Sequence, residues 1–323
     1  MDITVVLCTY NRCDRLATAL ESVAASRLPE AVSWEVLVVD NNSTDQTREV
    51  VKRFASQYPA RFRYAFEPRP GKSQALNFAI SITNARILAF MDDDVRVEPD
   101  WLHMLTRIFD DPEYAGAGGR ILPESEFTLP AWLETSGRYA LAPLAMFDLG
   151  PVAGRLHEPP FGTNMAFRRE VFAHYGDFRR DLGPQPGSEI RSEDTEFGMR
   201  LFRGGEHLWY EPAAVVHHAI ARNRLTKRYF LKWWFDKARG DLREHGIPPG
   251  TRWYVAGIPL FLIRRLIAWT LRWLLALRPG PRFSAKRNLW AVAGAIRECR
   301  NQSRQRDLAG DASLVVSKLG NQK

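Results

Sequence analysis

Arg86-Ile87-Leu88-Ala89-Phe90-Met91-Asp92-Asp93-Asp94 is an apolar run that ends in three consecutive carboxylates. Its length, and the absence of polar alternation within it, read as a strand buried on both faces. Such a strand predicts a sheet covered by helices on either side. Three adjacent carboxylates repel one another, so a fold that gathers them needs hydrogen bonds or a cation there. Hard oxygen ligands suit Mg2+ or Mn2+, ions that keep positions open for phosphate oxygens. Asp92 and Asp94 are alternate residues and can face one site, with Asp93 turned elsewhere. Alone, the triplet would read as a solvated acidic loop or a helix start ahead of Glu98-Pro99-Asp100-Trp101. A second acidic pair, Glu193-Asp194, lies far downstream in the run Arg191 to Arg200 and changes that reading. One cluster can hold an ion while the other supplies a base, and together they describe metal-assisted group transfer.

Outward from this strand, the first part of the chain alternates strand and helix patterns. Strands are expected at Ile3 to Leu7, Trp34 to Val39, Phe62 to Phe66 and Ile87 to Met91. Helices are expected at Arg15 to Ala25, about Thr44 to Tyr58, and Ser73 to Asn84, the first from the helical spacing of Leu16, Ala19, Leu20 and Val23. The alternation implies an α/β fold with a mostly parallel central sheet flanked by helices, Rossmann-like in layering. In such sheets ligands bind beyond the carboxyl ends of the strands. There this chain places Thr9-Tyr10-Asn11-Arg12, Asp40-Asn41-Asn42 and the aspartates. No G-x-G-x-x-G or Walker loop occurs, so dinucleotide and P-loop chemistry lack their phosphate cradles.

Composition narrows the class. A chain of 323 residues can bury a full core and carry an extension. The formal charge of +8 is uneven, with Arg and Lys crowded between Ala221 and Arg306. That crowding points to an acidic surface partner, anionic lipid or nucleic acid. Three cysteines, Cys8, Cys13 and Cys299, show no metal spacing and suggest a reduced, cytoplasmic setting. Ile3-Thr4-Val5-Val6-Leu7 reads as a first strand and not as a secretory leader.

The polar strand ends fall into a series. Cys8-Thr9-Tyr10-Asn11-Arg12, Val38 to Asp45, Gly71-Lys72-Ser73-Gln74-Ala75-Leu76-Asn77 and Met91-Asp92-Asp93-Asp94 come first. Phe161-Gly162-Thr163-Asn164-Met165-Ala166-Phe167-Arg168, Glu193 to Leu201 and Pro212 to His218 follow. In order and spacing these stretches resemble the successive motifs of inverting family 2 nucleotide-sugar glycosyltransferases with the GT-A fold. The resemblance covers roughly the first 220 residues and sets a catalytic domain at 1-222, followed by a helical extension at 223-323.

The resemblance implies roles residue by residue. Asp40 reads the base or ribose of the donor, and Thr9, Tyr10 and Arg12 line the same pocket. Lys72, Gln74 and Asn77 lie near the base or the diphosphate. Asp92 and Asp94 match the family's D-x-D, the first toward ribose and metal, the second on the metal. Gly162 and Asn164 border the donor sugar, although a tight turn would also explain the glycine. Asp194 is the general base, and Glu193 positions the acceptor or supports that base. Ser192 additionally opens a capping pattern that would orient the pair, and Asp45 caps the helix that follows it. Of His217 and His218, the family pattern points to His218 as a metal ligand, with Mn2+ or Mg2+ as the ion. The implied partners are a nucleotide-diphosphate sugar donor and a glycan or lipid-linked acceptor.

Beyond His218 the family pattern fades. Arg222 to Trp234 mixes cations with aromatics, and Lys227, Arg228 or Lys232 would meet the diphosphate if the segment closes over the site. The same mixture can bind single-stranded nucleic acid, but no nucleic-acid module is legible, and none is expected. Trp253 to Leu277 is apolar except for Arg264, Arg265 and Arg272. A central arginine pair is costly in a spanning helix. The segment therefore reads as an interfacial amphipathic helix on an anionic membrane surface, at the inner face, with a helix packed on the catalytic domain as the alternative. Pro259 is expected to start or kink it, and the polar tail after Asn301 to fray. Two function classes follow: an enzyme that moves sugar, or an inactive nucleotide-sugar-binding scaffold that keeps the fold. Asp92, Asp94 and Asp194 argue for the enzyme. A processive synthase would carry a Q-x-x-R-W motif, which is absent, and a nucleotidyltransferase would leave Glu193-Asp194 without a task.

Overall fold

The computed structural model describes the backbone of residues 1–135 and 140–320 and side chains through residue 303. The chain divides into two compact units, Met1–Thr128 with Gly137–Arg224, and Leu129–Ser136 with Leu225–Lys323.

The first unit opens as β1 (Ile3–Thr9), α1 (Cys13–Ala24), β2 (Trp34–Asp40), α2 (Thr47–Gln57), β3 (Phe62–Phe66), α3 (Lys72–Ile82) and β4 (Ile87–Asp92). The four strands are parallel, in the order β3-β2-β1-β4. β1 and β4 are buried along nearly their whole length, the pattern of strands covered on both faces. α1 turns Leu16, Ala19, Leu20 and Val23 inward at helical spacing. Then come β5 (Val95–Val97), α4 (Trp101–Thr106), β6 (Tyr114–Pro123), β7 (Gly154–Arg155), β8 (Asn164–Arg168), α5 (Glu170–Tyr175), α6 (Glu193–Arg203) and β9 (His207–His218). They extend the sheet as β4-β8-β6-β9-β5, with β7 against β9. β8 runs antiparallel to β4 and β6, while β6 and β9 are parallel. The sheet is thus parallel in its first half and mixed in its second. An aromatic core lies under it, with Phe197 stacked on Phe172 at 4.9 Å and 4.8 Å from Phe178.

Register gathers the polar strand ends. Thr9 sits opposite Asp40 and Cys8 opposite Asp92, so these residues share one edge of the sheet. β8 enters from that edge, with Asn164 opposite Met91. β9 finishes there, with His218 opposite Val95 and Pro123. Glycines in β6 permit the join. At Gly119 a Cβ would collide with the Ala214 carbonyl, and the β6–β9 register shifts between Gly119 and Arg120.

The second unit holds α7 (Lys227–His245), the hairpin β10 (Tyr254–Val255) and β11 (Ile258–Pro259), α8 (Leu260–Leu275) and α9 (Pro279–Gly320). Trp132 packs edge-on against Phe283 at 4.3 Å and Phe230 at 5.4 Å. Buried Glu298 is held by Arg239 at 3.1 Å and Arg243 at 2.5 Å, and Leu242, Ile258, Leu262, Val292 and Cys299 form a small core. The expected helix over 253–277 is shorter than its apolar stretch. Ala256 (φ 49°) and Gly257 (φ 74°) make a left-handed turn, which closes a hairpin that ends at Pro259, the residue before α8. Along α8, Ile267, Leu271, Leu274 and Leu275 are exposed beside exposed Arg264, Arg265 and Arg272. Among the described residues no helix is long and apolar enough to cross a membrane. The backbone past Asn301 stays helical to Gly320, where fraying was expected; 321–323 lie outside the described residues.

Candidate active site

The three aspartates are held by three different sets of partners. Asp92 accepts Lys72 Nζ on Oδ1 and the Thr163 hydroxyl on Oδ2, each at 2.7 Å. Burial would raise this carboxyl, but the charge and hydrogen bond of Lys72, with Thr163, outweigh it and hold Asp92 below the usual carboxylate range. Asp93 is buried and accepts Arg12 Nη1 at 2.9 Å. Burial wins over Arg12 at this position, with Asp94 adding repulsion, and pushes Asp93 up to about 6. Asp94 Oδ2 accepts Arg12 Nη1 at 3.0 Å and Arg224 Nη2 at 3.2 Å. Arg12, expected at the nucleotide, therefore neutralises two of the three aspartates.

Glu193 and Asp194 open α6, where the unpaired N–H groups favour negative charge. Their surroundings differ. Glu193 is buried, with Oε1 3.7 Å from Lys72 and Oε2 without a partner. Burial, only partly opposed by Lys72, pushes it up to about 7. Asp194 is half-buried and fixed in direction: Oδ2 accepts the Gly162 N–H at 2.7 Å and Oδ1 the Thr195 N–H at 2.6 Å. A Cβ on Gly162 would lie 3.2 Å from Asp194 Oδ2 and 3.6 Å from Lys72 Nζ. Gly162 lies in the turn that the Asn164 N–H closes on the Phe161 carbonyl at 2.9 Å, and a side chain there would also crowd Asp194 Oδ2. Ser192 is the residue before α6, but its hydroxyl bonds the Arg191 carbonyl and makes no cap. Lys72 ties the two acidic sites together. Burial alone would lower its ammonium, yet Asp92 and Glu193 more than compensate and hold it above an ordinary lysine.

On the β1–β2 side, Asp40 is buried, with Oδ1 on the Ser43 N–H at 2.8 Å and Oδ2 on the Tyr64 hydroxyl at 2.9 Å. Burial and that carboxylate push Tyr64 up to about 12. The Thr9 hydroxyl is buried without a partner, and Tyr10 is exposed. Asn41 shapes the neighbouring loop through the Glu67 and Arg69 carbonyls and the Gly71 N–H. Asp45 binds the Thr47 N–H at the start of α2 and also the Cys13 N–H.

Asn77 and Asn164, both expected near the donor, are engaged with backbone. Asn77 is buried and exchanges both amide groups with the backbone of Phe178, at 2.8 and 3.0 Å. Asn164 has no exposed surface: it donates to the Arg120 and Ala214 carbonyls and accepts from Trp101 Nε1. Both side chains are thus spent on the scaffold. Thr163 and Arg224 were not singled out from the sequence. Thr163 stands inside a recognised motif, whereas Arg224 was one cation among many.

His217 Nε2 lies 2.7 Å from Glu98 Oε1, while His218 Nε2 lies 3.6 Å from Asp94 Oδ1. His218 is therefore the histidine of this site. Burial lowers its imidazole below the ordinary value, against the pull of Asp94. A carboxylate oxygen beside a neutral imidazole nitrogen is a donor set that fits Mn2+ or Mg2+. Asp92 is engaged separately, and among the described residues no three carboxylate, thiol or imidazole groups converge into a cage. An ion here would have Asp94 and His218 as its protein ligands and take its other oxygens from elsewhere.

A family model described as Glycosyl transferase family 2 matches residues 4–176. The chain is 28% identical over 236 residues to the succinoglycan biosynthesis protein ExoM of Rhizobium meliloti, covering 72% of this chain and 71% of that one. It is 24% identical over 228 residues to the glucosyl-dolichyl phosphate glucuronosyltransferase of Haloferax volcanii, covering 69% and 71%. Among solved structures it is similar in fold to the mannosyltransferase PcManGT from Pyrobaculum calidifontis in complex with GDP-Man and Mn2+. The TM-score is 0.55 at 19% identity, over 97% of this chain and 80% of that one.

Proposed function

Since the chain belongs to glycosyl transferase family 2, we propose that it moves a hexosyl group, with inversion, from a nucleotide-diphosphate sugar to the hydroxyl of a glycan or lipid-linked acceptor. The observation that carries this reading is the pairing of Glu193 and Asp194. Of two adjacent carboxylates, one is buried and the other half-buried and aimed by two backbone N–H groups.

Inversion requires attack from the face opposite the leaving diphosphate. Asp194 accepts the acceptor hydroxyl's proton as that oxygen bonds the anomeric carbon, and the bond from this carbon to the phosphate oxygen breaks with its electron pair. Glu193 and Lys72 support the base from behind. Thr9, Tyr10 and Asp40, at the ends of β1 and β2, receive the nucleoside, and Gly162 admits the sugar beside Asp194. A divalent ion on Asp94 and His218 would offset the charge that grows on the departing diphosphate. The GDP-Man and Mn2+ of PcManGT support donor class and ion. The names of the succinoglycan and dolichyl-phosphate relatives support polysaccharide or lipid-linked acceptors.

Residues 1-222 act in this reading as the catalytic domain, and 223-323 as a basic extension that rests on the anionic inner face of a membrane. The apolar and cationic residues exposed along α8 support that placement.

The decisive experiment is turnover of Asp194→Asn. Donor affinity is expected to stay near that of the parent while turnover falls by about a hundredfold or more, the scale of a lost proton acceptor. Near-normal turnover of Asp194→Asn, with Glu193→Gln inactive, would move the base to Glu193.

A further inference from the structure

Arg224 stands in the short 3-10 turn Arg222–Leu225, just beyond β9. Its Nη2 donates to Asp94 Oδ2 at 3.2 Å, and its Nη1 lies 2.9 Å from His218 Nε2. A guanidinium carries donors only, so His218 Nε2 must accept, and the ring proton sits on Nδ1. The imidazole lone pair thus points at a cation. The bridge is sheltered, with the side chain of Arg224 14% exposed and that of Asp94 8%. The bridged groups, Asp94 Oδ1 and His218 Nε2, are 3.6 Å apart. Two ligands at right angles, each about 2.1 Å from an octahedral ion, lie about 3 Å apart. A small adjustment would turn the arginine's seat into an ion's seat.

We propose that Arg224 is a resident cation that fills the divalent ion's place until a nucleotide donor arrives, so that ion and donor load together. The inference rests on the metal-dependent reading above. An ion arriving alone must displace a guanidinium that bridges both of its protein ligands, and must do so beside a positive charge. A nucleoside diphosphate changes the balance, because its phosphate oxygens offer the released guanidinium a two-pronged partner. Ion affinity is therefore weak alone and strong with nucleotide. By linkage the ion strengthens nucleotide binding by the same factor.

The test reads Mn2+ binding directly, through the electron paramagnetic resonance signal of the free ion, with no sugar donor and no turnover. The parent, Arg224→Gln and Arg224→Lys are compared with Mn2+ alone and with Mn2+ plus saturating UDP or GDP. Mn2+ alone is expected to bind Arg224→Gln about tenfold more tightly than the parent, with Arg224→Lys between. The affinity gained on adding nucleotide should be larger in the parent by the same ratio. Equal Mn2+ affinity of parent and Arg224→Gln without nucleotide overturns the proposal, even if nucleotide promotes binding in both. No Mn2+ binding in any sample overturns the metal reading and the proposal with it. Thermal unfolding establishes that each variant folds. If Arg224→Gln does not, Arg224→Lys carries the comparison, and its equality with the parent refutes the proposal.

Discussion

Replacing Glu193 by glutamine should change how stability depends on pH, in a direction the burial of this residue fixes. Glu193 is 3% exposed, one carboxylate oxygen has no partner, and its carboxyl is pushed from an ordinary 4.5 up to about 7. Between those values the folded chain keeps the proton and the unfolded chain releases it. Stability then falls as pH rises through that window. Integrated from pH 5 to pH 8, a shift of this size costs the parent on the order of 2 to 3 kcal/mol that Glu193→Gln does not lose. The contribution of Asp93, pushed up to about 6, has the same sign but is common to both proteins and cancels in their difference. Urea unfolding followed by circular dichroism at pH 5, 6, 7 and 8 measures it. Whatever the variant's offset at pH 5, its stability relative to the parent should climb toward pH 7 and then level off. Parallel pH curves would refute the assignment of Glu193 as a carboxyl kept neutral by burial, and with it the division of labour between Glu193 and Asp194.

Two further outcomes are expected. Asp94→Ala leaves Arg12 paired with Asp93 and Arg224 with His218, so it should fold normally and yet lose the Mn2+-dependent part of the thermal shift given by UDP or GDP; an unchanged shift would remove Asp94 from the metal site. The full chain should sediment with anionic vesicles and be only partly released by salt, because screening weakens the arginines of α8 but not its exposed leucines. Leu271→Glu should reduce that binding, and equal recovery in the supernatant with or without lipid would exclude membrane attachment.

What could be read from the sequence was local. β1 to β4 declare themselves through apolar runs with polar ends, and the register of a parallel sheet then brings Thr9, Asp40 and Asp92 to one edge. The second half of the sheet was hidden. β6 is rich in glycine, and its reason for being a strand lies in neighbours distant in sequence, Phe167 and Ala214. The family resemblance singles out Asn77 and Asn164 but carries no information on where their amides point; both hold backbone. For Arg224 there was no local signal, since its role depends on two groups that only folding brings to it. The apolar stretch at 253–277 concealed a hairpin because the left-handed Ala256 in its turn is not a residue that announces one.

Asn164 closes a seam. Where the β6–β9 ladder slips, its amide nitrogen takes up the stranded carbonyls of Arg120 and Ala214, and its oxygen anchors Trp101 of α4. Its immediate neighbour, Thr163, holds Asp92, and Gly162 holds Asp194. This one side chain therefore helps to set the spacing between Asp92 and Asp194. Aspartate, the same shape with the donors removed, would leave two carbonyls facing a negative charge. For the protein engineer this separates two kinds of motif residue. A library meant to change ligand preference should spare Asn164, because variation there would be spent on heat tolerance, and draw its diversity from exposed positions such as Tyr10.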